Sequence, residues 1–150
     1  MIARRRILLA DDHALVRAGI RALLESLPRV VVVGETGDGL EAVELVRRDP
    51  PDAILLDITL PGLNGLEAAA RITRLDVPTR VLMLSMHASA EYAARAFAAG
   101  ASGYLNKDSA FDELATALDQ VCAGRRYLCR ALDAEAVRQF ERRAGTGESE

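Results

Sequence analysis

Two cysteines in 150 residues, Cys122 and Cys129, are too few for a disulfide scaffold, and their spacing is not that of a metal site. Both read as ordinary small residues. No apolar run approaches the roughly 20 residues that a membrane span requires. Ile7 to Ala10 is also far too short for the apolar part of a signal peptide, and charges follow it at once. Strong charge of either sign is missing as well. A formal net charge of −3 makes no electrostatic case for nucleic acid or a membrane surface. Arg4-Arg5-Arg6 reads as the solvated start of a strand. The glycine-rich stretch Gly34 to Gly39 does not match GxGxxG, no P-loop is present, and there is no internal repeat. What remains is expected to be a soluble cytoplasmic protein of one domain with a short appendage.

What the chain does have is apolar residues, 50% of the total, arranged with two alternating periods. Arg6 to Asp11, Val30 to Val33, Asp52 to Asp57, Thr79 to Ser85 and Ala101 to Leu105 read as five buried strands. Between them His13 to Leu27, Leu40 to Arg48, Leu66 to Arg74 and Ser89 to Ala99 carry helical spacing, and Ser109 to Val121 comes after the last strand. Asp38 and Asn64 are the expected N-caps of the second and third helices, and Ser109 with Glu113 resembles a capping arrangement. Strand starts recur about every 20 to 28 residues, the rhythm of βαβ units in a parallel sheet. The fold class expected is α/β, a doubly wound open sheet of five parallel strands in the flavodoxin-like order 2-1-3-4-5, with helices on both faces. Residues 1–124 form that domain. Residues 125–150 read as a linker, with a charged helix from Asp133 to Arg143 striped by Ala136, Val137 and Phe140, and a small polar tail expected to be mobile.

In such a sheet every strand ends on the same rim, and ligands sit at the switch point between the first and third strands. Asp11 and Asp12 come after the first strand, Asp57 ends the third, Ser85 the fourth, and Lys107 comes after the fifth. Packed carboxylates raise each other's pKa unless a hard divalent cation sits among them. Oxygen ligands with room for waters suit Mg²⁺. Lys107 can neutralise charge opposite the metal, and Ser85 can donate a hydrogen bond. Such a set fits in-line phosphoryl transfer to a carboxylate. His13 reads as a helix-start residue and His87 as a rim residue.

These motifs, namely ADDH-LVR-G at the start, Asp57 with Pro61, Gly62 and Gly65, then LSMH and AGASGYLNKD, resemble the receiver domain of two-component response regulators, in particular its NarL/FixJ (LuxR-type) branch. The resemblance covers about Ile7 to Ala123. It implies that Asp57 is the phosphoacceptor. Asp11 and Asp12 would help hold Mg²⁺, with Asp12 a direct ligand and the Thr59 carbonyl a further one. Ser85 and Tyr104 would act as switch residues, Tyr104 turning inward on modification. Lys107 would pair with a phosphoryl oxygen, and Thr59, Met86 and His87 would tune phosphoryl lifetime. A receiver catalyses only its own phosphoryl transfer and dephosphorylation. The implied partners are a cognate histidine kinase, a second copy on phosphorylation, and DNA through a helix-turn-helix output domain, so the chain reads as a truncated piece of a transcription regulator, with a stand-alone receiver kept as the other reading. Asn106 departs from the branch, where an apolar residue is commoner, and Asp108 stands where many receivers have proline. A phosphohydrolase would need a second aspartate where Thr59 stands. The alternative kept open is a phosphorylation-independent pseudo-receiver, a module that typically lacks one of the acidic, acceptor or lysine positions.

Overall fold

The computed structural model describes residues 4–147. Strand and helix alternate as β1 (Arg5–Ala10), α1 (Ala14–Ser26), β2 (Val30–Thr36), α2 (Gly39–Arg48), β3 (Ala53–Asp57), α3 (Gly65–Arg74), β4 (Arg80–Ser85), α4 (Ala90–Ala98) and β5 (Gly103–Asn106). A 3₁₀ turn (Lys107–Ser109) leads into α5 (Ala110–Cys122), and β6 (Tyr127–Leu128) and α6 (Ala134–Gly147) complete the order. The strands form one parallel sheet in the order β2-β1-β3-β4-β5-β6. The expected five-stranded order is therefore present and extended by a sixth strand.

β3 is buried at all five positions and flanked by β1 and β4, with Leu9 opposite Leu55 and Leu55 opposite Leu82. Burial on both faces explains its unbroken apolar run. Each of Leu55 and Leu56, fully buried, contributes about 1.5–3 kcal/mol by leaving water. The helices begin where local chemistry stops the strands. Asp38 accepts from the Glu41 N–H (3.1 Å) and Asn64 from the Glu67 N–H (3.0 Å), capping α2 and α3 as their spacing predicts. Ser89 caps α4 by accepting from the Tyr92 N–H (3.2 Å).

Four expectations change. β2 runs through Gly34 to Thr36, because a bulge at Val33, between the partners of Ile7 and Leu8, lets pairing resume at Gly34. Ser109 makes no side-chain cap on α5; its hydroxyl donates to the Asn106 carbonyl instead (3.3 Å). β6 falls in the expected connector, where only two residues pair and no alternation long enough to read exists. Tyr127 donates its N–H to the Ser102 carbonyl (2.9 Å) and Cys129 donates its own to that of Tyr104 (3.0 Å). α6 spans more than the expected 133–143 and packs along α4, with Val137 buried. Residues 148–150 of the expected mobile tail lie outside the described residues.

Among the described residues no helix is long and apolar enough to cross a membrane.

Candidate functional site

Sheet register assembles the rim. Ala10 lies opposite Leu56, Asp57 opposite Leu84, and Ser85 opposite Asn106, so the chain leaves four strands at nearly one level. Asp57 is the last residue of β3, and the segment after it fixes its backbone. Ile58 donates to the Leu84 carbonyl (3.0 Å) and Gly65 donates to the Ile58 carbonyl (2.7 Å). Gly65 must be glycine: a Cβ there would fall 2.1 Å from the Asp57 carbonyl oxygen. Gly62, at φ +78°, makes the turn between them in a region that side chains disfavour.

Asp57, Asp11 and Lys107 are buried together. Lys107 Nζ lies 3.0 Å from Asp57 Oδ2 and 2.8 Å from Asp11 Oδ2. The first contact has hydrogen-bond geometry. The second does not, and Asp11 Oδ2 is left buried without a hydrogen bond. Asp57 Oδ1 accepts from the Thr59 N–H (3.2 Å), and Asp11 Oδ1 from the His13 N–H (2.8 Å). Burial raises the Asp57 pKa above the usual carboxylate value, and the neighbouring Asp11 adds to the rise; Lys107 and the Thr59 N–H pull it back only in part. Two buried carboxylates therefore share one ammonium, with Asp12 exposed beside them.

That imbalance suits a cation. Asp11, Asp12, His13 and Asp57 each offer a ligand atom, all within 4.8 Å of one another. The buried, unbonded Asp11 Oδ2 and the oxygen-rich donor set fit a divalent ion.

The 3₁₀ turn that carries Lys107 is capped by Asn106, whose Oδ1 accepts from the Asp108 N–H (2.9 Å). The departure from an apolar residue at this position thus supplies a local anchor for the lysine. No peptide bond among the described residues is cis.

Ser85, nearly fully buried at the end of β4, accepts from the His87 N–H (3.0 Å). Tyr104 is fully buried on β5 and donates its hydroxyl to the His87 carbonyl (2.9 Å). The ring of Tyr104, expected to turn inward on modification, lies inside in this structure. Thr59, Met86 and His87 are exposed around the rim, where an incoming group would pass.

Two features of the site lie beyond the sequence reading. His13 leads into α1 as expected, yet its Nδ1 turns into the acidic group, 3.2 Å from Asp11 Oδ1 and 3.6 Å from Asp57 Oδ2. Its adjacency to Asp11-Asp12 is the one signal the sequence offers. Glu113 on α5 is buried and bound by Tyr127 (2.5 Å) and the Arg130 N–H (3.0 Å). A carboxylate on the inner face of a helix pattern is the signal there.

A family model for the response regulator receiver domain matches residues 7–119. Over 122 residues the chain is 42% identical to the response regulator UvrY of Escherichia coli K12, covering 81% of this chain and 56% of that protein. Over 126 residues it is 39% identical to the nitrate/nitrite response regulator protein NarL of the same strain, with 84% and 58% covered. A LuxR-family two-component response regulator from Aurantimonas superposes with a TM-score of 0.80 at 39% identity, covering 95% of this chain and 99% of that one. The signal receiver domain of the putative response regulator NarL from Mycobacterium tuberculosis gives 0.79 at 38% identity, covering 83% and 100%. The chain spans little more than half the length of these curated relatives. Matched by the family model over about three quarters of its residues, it belongs to the response regulator receiver domains of two-component systems, on their NarL/LuxR-type side.

Proposed function

We propose that this chain is a phosphorylation-activated switch in which Asp57 accepts a phosphoryl group. The observation that carries this reading is the buried Lys107 ammonium held between Asp57 and Asp11 at the rim of the sheet. An Asp57 carboxylate oxygen attacks phosphorus as the bond to the donor breaks, and the donor leaves with its electron pair. The donor is a phosphohistidine of a cognate histidine kinase or a small acyl phosphate. Asp11, Asp12 and Asp57, with the Thr59 carbonyl, would hold Mg²⁺, which when bound neutralises charge between the acceptor and the phosphoryl oxygens.

The chain's own residues do the rest. Lys107 moves from the carboxylate to a phosphoryl oxygen, and Ser85 gives up its contact with the His87 N–H to donate to another. Because His87 also receives the Tyr104 hydroxyl, displacement of the loop after β4 loads Tyr104 and the start of α4. Modification adds about −1.5 to −2 of charge at neutral pH, by analogy with other phosphorylated side chains. That local event biases a two-state surface made of α4, β5 and α5. Residues 1–124 are the receiver, and 125–150 are the linker that carries the change to a second copy and to a helix-turn-helix DNA-binding unit. The reaction is the protein's own modification and its reversal, in the cytoplasm, without a turned-over substrate.

Intact-protein mass after incubation with acetyl phosphate and Mg²⁺ tests this. One added phosphoryl group is expected on the wild type and none on Asp57→Asn or in EDTA. Absence of the adduct from the wild type, with no binding of beryllofluoride either, would turn the reading to a phosphorylation-independent module.

A further inference from the structure

A histidine stands beside the three aspartates of the proposed divalent-ion site. Lys107 Nζ touches Asp11 Oδ2 at 2.8 Å, Asp57 Oδ2 at 3.0 Å and His13 Nδ1 at 3.2 Å. An ammonium has three donors and no acceptor, so at His13 it meets the ring nitrogen's lone pair. In the tautomer protonated at Nε2, the Nδ1 lone pair points into the acidic group. Half of the imidazole's surface stays exposed.

The same nitrogen faces three carboxylates. His13 Nδ1 lies 3.2 Å from Asp11 Oδ1, 3.5 Å from Asp12 Oδ1 and 3.6 Å from Asp57 Oδ2. One ring nitrogen carries at most one proton, so it can satisfy at most one of the three, and a single ammonium cannot lie between every pair. The fully buried Asp11 adds Oδ2, which has no hydrogen bond at all. Around an ion with bonds of about 2.1 Å, neighbouring ligand atoms sit about 3.0 Å apart in an octahedron and about 3.4 Å apart in a tetrahedron. The separations from His13 Nδ1 are close to those of neighbouring ligands in one coordination sphere, within a donor group that spans at most 4.8 Å.

We propose that His13 is a ligand of the divalent ion bound by Asp11, Asp12 and Asp57, and that it determines which ion the site prefers. The inference rests on the acidic site of the proposed function. Oxygen ligands favour Mg²⁺, whereas an imidazole nitrogen favours the borderline ions of the late first row. His13 thus widens the site towards ions such as Ni²⁺ and Zn²⁺, and transition-metal supply then bears on how readily Asp57 is modified.

The test is binding, read without phosphoryl transfer, on tag-free protein. Ni²⁺ and Mg²⁺ isotherms are measured for the wild type, His13→Gln, His87→Gln and Asp57→Asn. Pulsed EPR of the Mn²⁺-loaded forms reads directly bound imidazole nitrogen. His13→Gln should weaken Ni²⁺ by about tenfold or more and Mg²⁺ by less than about twofold. The nitrogen coupling should vanish in His13→Gln and persist in His87→Gln. Asp57→Asn should weaken both ions. If Asp57→Asn weakens both while His13→Gln changes neither affinity nor coupling, the imidazole ligand is overturned and the acidic site stands. If the wild type binds neither ion, both fall together.

Discussion

Tyr127 donates its hydroxyl to the buried carboxylate of Glu113 across 2.5 Å, fastening the sixth strand to helix α5. Burial works to raise the Glu113 pKa, but hydrogen bonds led by the Tyr127 hydroxyl and the Arg130 N–H outweigh it and hold the carboxyl below its ordinary value. The phenol is pushed up to about 12, by burial first and then by Glu113. A depressed carboxylate stabilises the fold above its unfolded pKa, and that contribution is lost as pH falls through the folded value. A raised phenol stabilises below its unfolded pKa, near 10, and loses this as pH rises through about 12. In an absorbance titration of the three tyrosines, Tyr127 should therefore ionise near 12 in the wild type, and Glu113→Gln should lower that value.

Strand β6 should be the part of the sheet that this pair controls. Glu113→Gln removes the charged acceptor, a change worth about 1–3 kcal/mol for a hydrogen bond to a buried charged group. Hydrogen exchange at Tyr127 and Cys129 should accelerate, while the β1, β3 and β4 amides keep wild-type protection. Uniform acceleration across the sheet would mean that β6 unfolds only with the whole domain.

Arg126 is the second fastening. Its guanidinium stacks 3.7 Å from the Phe97 ring centroid on α4, and it pairs with Glu141 on α6 at 2.5 Å. A groove of about 870 Å³ lies between these helices, lined by Ala94, Arg95 and Ala98 on one side and Phe140 and Glu141 on the other. A partly exposed stacked cation is worth about 0.5–1 kcal/mol, and the exposed ion pair adds about as much at most. Arg126→Ala should thus raise the population of undocked α6 about 2- to 27-fold by the usual conversion of 1.4 kcal/mol per decade. Limited proteolysis within 134–144 reads this directly. Phe97→Leu should act in the same direction through loss of the stacked ring.

Gly65 holds the acceptor strand in place by having no side chain. Gly65→Ala puts a carbon where the Asp57 carbonyl oxygen already is, and the atoms it meets are backbone that cannot rotate away. The expected loss is about 2–4 kcal/mol in urea melts, in the range of strongly destabilising single changes. Gly34→Ala is the control, because its nearest neighbour is a Leu8 methyl at 3.1 Å, the end of a side chain rather than fixed backbone.

The central strands and the four rim positions are legible in the sequence because both arise from chain-local chemistry. Ala53 to Asp57 is a continuous apolar run closed by a carboxylate and Pro61-Gly62, and parallel topology alone then brings Asp11, Asp57, Ser85 and Lys107 to one edge. β6 is illegible because two residues carry no period; its position depends on β5 offering an open edge and on Glu113 offering an acceptor. Tyr104 reads in the sequence as a residue whose movement awaits modification. Its ring is buried in the core, and the His87 carbonyl satisfies its hydroxyl, neither of which leaves a mark in the sequence. His13 sits at the head of α1 as its position predicts, but its ring contacts Lys107, 94 residues away in the chain, and no local pattern reports that.

Lys107 should matter to stability before it matters to signalling. Removing it as Lys107→Met leaves the buried carboxylates of Asp11 and Asp57 facing each other without a counter-charge, and breaking such a group costs about 3–5 kcal/mol. Asp57→Asn should recover part of that loss, because it deletes one of the two charges whose burial is being resisted. The two changes are therefore non-additive, with a coupling of about 1–3 kcal/mol in a double-mutant cycle of urea melts run without divalent ions. Added Mg²⁺ should stabilise Lys107→Met by more than it stabilises the wild type, since the ion takes over charge that the ammonium had balanced. Equal stabilisation of both proteins by Mg²⁺ would show that Lys107 and the ion do not share the same carboxylates.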